Sequence, residues 1–231
     1  MTATIRELPW DSTFFGWRIG SVNATLLTLG ELVRVLKSND CDLLYVYDSS
    51  HDDAKKKLIL TNGGLSMGSR VVMVAPVSDV CEPTHAKLAS DMTEELLNLA
   101  YESGHLSRFK KDSVLSASFQ NMYKVWLQKE FLDGKVFVWS KDDRPFGFAS
   151  VTVDSIAHKG KIGLVAVDAR MRKQGIGRQL MTAAMSWLSA QGVNECEVAT
   201  QGENLPAIRL YESIGFSISE EADIYHIWRK K

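Results

Sequence analysis

Cysteine is scarce in this 231-residue sequence: Cys41, Cys81 and Cys196 show neither metal-ligand spacing nor the density of a disulfide framework. That argues against a zinc-held or disulfide-built scaffold and leaves the three as reduced thiols, with no metal site expected. A surplus of charge is missing too. The 27 basic and 28 acidic residues give a net charge of −1, so no global field draws in nucleic acid or an anionic membrane. No apolar run is long enough to span a bilayer, and the opening residues Met1–Glu7 hold no apolar signal core. A cytoplasmic protein without membrane insertion is therefore expected. Internal repeats and low-complexity tracts are absent by inspection. What is present suits a folded chain: 45% hydrophobic and 24% charged residues, in a length that holds one large domain or two small ones.

The pattern along the chain predicts an α/β protein in two parts. Residues 1–83 read as a small α/β unit. It has a short strand at Thr4–Leu8, apolar residues at helical spacing (Leu29, Leu32, Val33, Leu36), a strand at Leu43–Tyr47, a helix at Ala54–Leu60 closed by Asn62-Gly63-Gly64, and a strand at Val71–Val77. Cys81-Glu82-Pro83-Thr84 is the expected boundary, because proline interrupts pairing and no periodic pattern crosses it. Residues 84–231 then give a helix at Asp91–Tyr101 and an irregular stretch from His105 to Ser116. A second helix carries the stripe Phe119, Met122, Tyr123 and Trp126. A hairpin around Asp142-Asp143 and a strand at Ile162–Val167 come next, then a helix from Ile176 to Leu188, an alternating strand at Cys196–Thr200 and a short helix at Asn204–Ser213. Phe216–Trp228 reads as terminal β-structure, whose open edge leaves a homodimer by strand pairing in view.

Chemistry concentrates at Arg172-Lys173-Gln174-Gly175-Ile176-Gly177, between the Ile162–Val167 strand and the helix that starts at Ile176. A basic, glycine-containing turn that opens a helix presents unpaired backbone N–H groups at the positive end of the helix dipole, which suits phosphate. Gly175 and Gly177 would let a ligand approach the backbone closely. Lys173 and Arg178 would add charge, while the amides of residues 174–178 supply the geometry. A plain basic start to a helix reads the same way on this hexapeptide alone.

The spacing Arg/Gln-x-x-Gly-x-Gly/Ala also resembles the pyrophosphate loop of the GCN5-related N-acetyltransferase (GNAT) family. The resemblance implies a mixed, mostly antiparallel sheet flanked by helices and splayed where coenzyme A enters, with acetyl-CoA as co-substrate. Leu164-Val165-Ala166-Val167 is similar to the family's fourth strand. On that likeness Val165, Ala166 and Val167 pair with the pantetheine arm, while Arg172, Lys173, Gln174, Gly175, Ile176, Gly177 and Arg178 hold the diphosphate. Many members have proline after this strand, whereas this chain has Asp168-Ala169. Asn204-x-x-Ala207-x-x-Leu210-Tyr211-x-x-x-Gly215-Phe216 resembles the family's last motif, in which the asparagine contacts CoA and the tyrosine protonates the departing thiolate. Taken by themselves, Asn204 reads as a helix N-cap and Tyr211 as a core tyrosine. No general base can be singled out among His105, Asp112, His158 and Glu203.

The front half extends the likeness. Leu8-Pro9-Trp10-Asp11-Ser12-Thr13-Phe14-Phe15-Gly16 reads as a packed aromatic turn, and it resembles the start of the dTDP-fucosamine acetyltransferase branch. Ser107-Arg108-Phe109, Tyr123-x-x-Trp126 and Glu197-Val198-Ala199-Thr200-Gln201 agree with that branch as well. The branch implies N-acetylation of the 4-amino group of a dTDP-linked 4-amino-4,6-dideoxy sugar, with Arg108 on the sugar nucleotide's diphosphate, within polysaccharide biosynthesis. Two alternatives stand beside it. One is a GNAT enzyme acting on another small amine or a protein N-terminus; the other is a CoA-binding sensor without turnover.

Overall fold

The computed structural model describes residues 5–78 and 84–229. In chain order it has β1 (Arg6–Glu7), α1 (Pro9–Phe15), β2 (Ile19–Asn23), α2 (Leu29–Ser38), β3 (Leu43–Asp48), α3 (Asp53–Thr61), β4 (Gly64–Pro76), β5 (Lys87–Leu88) and α4 (Glu94–Ser103). These are followed by α5 (Arg108–Lys111), α6 (Phe119–Asp133), β6 (Lys135–Lys141), β7 (Arg144–Asp154), β8 (Lys159–Val167), α7 (Ile176–Ala190), β9 (Glu195–Gln201), α8 (Leu205–Glu212) and β10 (Ser217–Trp228).

Among the described residues the strands form one sheet in the order β1-β2-β3-β10-β4-β9-β8-β7-β6-β5. The pairs β2–β3 and β8–β9 are parallel and the others antiparallel, as expected for a mixed, mostly antiparallel sheet. The expected boundary at Cys81–Thr84 falls largely outside the described residues. The sheet itself runs across it: β4, from the front half, lies between β10 and β9 of the back half.

That order narrows one expectation. The terminal strand β10 is interior, hydrogen-bonded to β3 on one side and β4 on the other. Along Asp223–Trp228 it has no free edge; only Ser217–Ala222, which pair with β4 alone, keep the open edge that a homodimer by strand pairing would use. The outermost strands of the sheet are the two-residue β1 and β5, too short to template much pairing.

Local chemistry explains the elements. Leu43-Leu44-Tyr45-Val46 is apolar throughout because both faces of β3 are covered: Leu43 and Tyr45 enter one core cluster, Leu44 and Val46 another. The front aromatic segment is a helix rather than a turn. Pro9 sits at its first position and Gly16, at φ 73°, closes it with an N–H bond to the Ser12 carbonyl. The hairpin between β6 and β7 turns where expected, with Asp142 and Asp143 at φ 50° and 58°. The stretch read as irregular holds α5 and a 3-10 turn at Leu115–Ser118. The single residue Ser107 starts α5 by accepting from the Lys110 amide.

Two helix pairs cover the back half. Ile176, Leu180, Ala184 and Leu188 of α7 pack with Tyr211 of α8 over one face of the sheet. Leu96, Leu99 and Ala100 of α4 pack with Met122, Tyr123 and Leu127 of α6 over the other. No helix of the described residues is long and apolar enough to cross a membrane.

Candidate active site

The site begins with a fault in β8. Side chains on a strand alternate between faces, so Ile162, Leu164 and Ala166 should share one. They do not: Ile162 joins the α7 core, while Leu164 and Ala166 join the α6 core. A bulge causes the switch. Ala149 pairs with Val165 but Val151 pairs with Ile162, leaving an extra residue on β8. The buried Ser150 hydroxyl takes up the Leu164 N–H at 2.8 Å, so that amide keeps a partner across the irregularity.

Beyond the bulge the sheet opens. The parallel pairing of β8 with β9 runs from Lys159↔Glu195 to Ile162↔Val198 and stops, although β8 continues to Val167 and β9 to Gln201. A cavity of about 770 Å³ occupies the gap, lined by Val165, Ala166 and Val167 on one side and Ala199, Thr200 and Gln201 on the other.

The basic turn closes the end of this cavity. Gly175 is the N-cap of α7 at φ 78°, and no side chain caps the helix. The first amides of α7 therefore have no intrahelical partner. Gly175, Ile176, Gly177 and Arg178 line the cavity, as do Arg172 and Lys173, whereas Gln174 is not part of its wall. Lys173, at φ 62°, is a second left-handed residue in the turn. The two glycines serve different ends. Gly175 supplies the positive φ; a Cβ on Gly177 would lie 2.9 Å from Leu210 Cδ2, so its smallness lets α8 approach α7. Two basic side chains are tied to the scaffold: Arg172 Nε donates to the Val167 carbonyl at 3.0 Å and Arg178 Nη2 to the Ser213 carbonyl at 2.9 Å.

Asn204 and Tyr211 line the same cavity. Asn204 occupies the N-cap position of α8, but its side chain caps nothing; Nδ2 donates to Thr200 Oγ1 at 3.1 Å, which ties α8 to the splayed end of β9. Tyr211 is 4% exposed, and burial pushes its hydroxyl up from the ordinary tyrosine value. A protonated hydroxyl, a donor, is what this setting keeps. The first amides of α7, the open strand edges and the tyrosine thus share one cleft.

Arg108 lies elsewhere. It lines a second cavity of about 930 Å³ with Trp10, Asp11 and Glu130, and Trp126 is common to both cavities. The guanidinium stacks over the Tyr45 and Phe109 rings at 4.7 and 4.3 Å, and its Nε is buried without a partner. Burial raises the Asp11 carboxyl above its usual value, against the pull of Arg108.

The four groups considered as general base are separated by their surroundings. Asp112 and His226 form a buried pair at 2.6 Å that belongs to the core. His158 stands at φ 50° in the β7–β8 turn. His105 and Glu203 do line the first cavity, with Glu203 paired to Lys111 at 2.5 Å. Glu130 was missed. The signal was there: it follows Trp126 by one helical turn on the stripe Phe119, Met122, Tyr123, Trp126, a charge on a face otherwise meant for the core. Among the described residues no group of three or more His, Cys, Asp and Glu side chains is placed to hold a metal.

Residues 94–216 match the acetyltransferase (GNAT) family. The chain belongs to that family. The GNAT match starts at α4 and ends just before β10, taking in the bulged strand, the turn and α8. Similar curated proteins include the mycothiol acetyltransferase of Brachybacterium faecium, 32% identical over 95 residues, which are 41% of this chain and 26% of that one. That of Corynebacterium aurimucosum is 31% identical over 71 residues, 31% of this chain and 22% of the relative. The chain thus spans about a quarter of the length of these relatives.

Solved structures share the fold over more of the chain. A functionally unknown conserved protein from Staphylococcus epidermidis aligns over 100% of this chain and 94% of its own, with a TM-score of 0.64 at 12% identity. A GCN5-related N-acetyltransferase from Sphaerobacter thermophilus covers 80% of this chain and 59% of its own, with a TM-score of 0.55 at 17% identity. The GNAT fold expected from the sequence is the fold observed.

Proposed function

We propose that this GNAT protein transfers the acetyl group of acetyl-CoA to the amine of a small acceptor, and that the acceptor is the 4-amino group of a dTDP-linked 4-amino-4,6-dideoxy sugar. One observation carries the acceptor assignment. Trp10 and Asp11 of the front aromatic segment and Arg108 of α5, far apart in sequence, line one cavity, and that cavity meets the coenzyme cleft at Trp126.

In this reading the first amides of α7 hold the diphosphate, and the side of Val165–Val167 that β9 leaves unpaired aligns the pantetheine arm. Asn204 fixes the far wall. The acceptor side draws on both halves: Arg108 of α5 pairs with the sugar nucleotide's diphosphate as a planar fork, and Trp10 of the front segment, residues 1–83, 45% exposed, offers a ring to the base or sugar. The neutral amine attacks the thioester carbonyl. Tyr211 gives its proton to the sulfur as the C–S bond breaks, a service worth on the order of 100- to 10,000-fold. The reaction belongs to the cytoplasm and to polysaccharide building, and it uses no metal.

The curated relatives favour a second reading, an acceptor like that of the mycothiol acetyltransferases. Thiol release from acetyl-CoA, measured with dTDP-4-amino-4,6-dideoxygalactose, glucosamine derivatives, polyamines and peptides, separates the two. Turnover confined to amines without a nucleotide removes the sugar-nucleotide assignment. Tight acetyl-CoA binding with no release on any amine leaves a CoA sensor.

A further inference from the structure

Glu130 is 6% exposed, yet only half of its carboxylate is accounted for. Oε1 accepts from Trp126 Nε1 at 2.9 Å, and Oε2 is buried without a partner. A buried carboxylate oxygen left unbonded is rare in a folded protein and calls for a reason, a ligand that completes the set being one.

Its position says which ligand. The carboxylate presses on Gly163, where a Cβ would come within 2.6 Å of Oε1 and 2.7 Å of Oε2. Only glycine admits that approach. Gly163 is the first residue of β8 beyond its last pair with β9, and it lines the coenzyme cleft. Glu130 itself lines the other cavity, and Trp126, its hydrogen-bond donor, lines both. Glu130 thus stands between the two chambers, beside the bulge, with its unpaired oxygen against Gly163.

We infer that Glu130 receives the acceptor's ammonium group and takes its proton. This role rests on the acetyl-transfer reading above. The ammonium enters from the second cavity and donates one N–H to Oε2. Its proton passes to the carboxylate, leaving a neutral amine with a lone pair. That pair forms the C–N bond to the thioester carbonyl carbon, and the C–S bond breaks. The sulfur takes the Tyr211 hydroxyl proton, and the surplus proton on the new amide nitrogen returns to Tyr211. Glu130 releases its proton to water through the second cavity, so each turnover yields amide, free thiol and one proton.

The test compares wild type with Glu130→Gln, which keeps shape and Trp126's acceptor but cannot take a proton. Thiol release is followed with dTDP-4-amino-4,6-dideoxygalactose, glucosamine, spermidine and the matched pair ethylamine and trifluoroethylamine, the last being neutral at the assay pH. Glu130→Gln is expected to lower kcat on the order of 100-fold with every ammonium-type acceptor the wild type uses. With trifluoroethylamine the loss shrinks to about fivefold or less, since no proton need be removed beforehand. Calorimetric affinity for acetyl-CoA and the melting temperature stay at wild-type values. Should the Gln variant not fold, Glu130→Asp draws the carboxylate back by one methylene and loses about tenfold in kcat with acetyl-CoA affinity unchanged. Rates for Glu130→Gln within about threefold of wild type on all accepted amines overturn the role and leave acetyl transfer intact. A wild type that binds acetyl-CoA but acetylates no amine overturns the transfer reading, and Glu130's part with it.

Discussion

Asp112 and His226 meet in the core, Nδ1 donating to Oδ2 at 2.6 Å with the two side chains 1% and 0% exposed. The aspartate also accepts from Trp228 Nε1 and from the Val114 and Leu115 amides. It ends the turn of α5 that carries Arg108, so the pair fastens that arginine to strand β10.

The pair makes stability fall on acidification. Burial holds the His226 imidazole below its ordinary value, helped by the Arg108 charge and opposed by Asp112. As pH drops through about 6.5, unfolded chains take up a proton that the folded protein refuses, so the unfolded state gains. Burial works against the Asp112 carboxylate, but its hydrogen bonds outweigh that and keep it below the usual range, which adds a loss at still lower pH. The melting temperature is expected to decline from about pH 7 to pH 5, and His226→Gln should flatten that slope. A wild-type melting temperature that rises over this interval reverses the argument.

Asp112→Ala strands the histidine, an indole N–H and two amides, and is expected to cost about 3 kcal/mol in denaturant unfolding. Where the variant still folds, KM for the acceptor should rise more than KM for acetyl-CoA, because Arg108 loses its anchor. Equal rises in both would place the damage in the whole fold instead.

At the turn, Gly175→Ala adds a Cβ that meets nothing within 4 Å, so its cost is backbone strain alone. About 1 kcal/mol of stability and about tenfold in acetyl-CoA affinity should be lost as the amides shift. Lys173→Gly relieves a left-handed non-glycine and removes a charge. If backbone donors hold the diphosphate, calorimetry finds its affinity within about threefold of wild type and its stability changed by less than about 1 kcal/mol. A much larger affinity loss would give the binding to the lysine's charge.

Tyr211→Phe is expected to lower kcat by about 100-fold or more with acetyl-CoA affinity unchanged. The change removes only a hydroxyl, and the ring keeps its place in the core beside Phe216, 6.0 Å away between centroids. An undiminished rate where chemistry limits turnover removes the tyrosine from the reaction.

Arg108→Lys keeps the charge but loses the planar fork and the stacking on Tyr45 and Phe109. KM for the sugar nucleotide should rise about tenfold with KM for acetyl-CoA untouched. The opposite split would move Arg108 out of the acceptor chamber.

Whatever depends on near neighbours in the chain could be read from the residues alone. The turn at 172–177, the α7 stripe and the Asp142-Asp143 hairpin were legible because capping, periodicity and positive φ act within a few residues. The rest depends on how the elements pack. Nothing local in Phe216–Trp228 says that it slots between β3 and β4, for strand order is fixed by which faces remain to be buried once all the elements are present. The switch of faces at Gly163 depends on its register against β7, and so does the gap it opens. The meeting of Trp10, Arg108 and Glu130 around one chamber comes from three separate helices packing together; spacing along the chain carries no record of it.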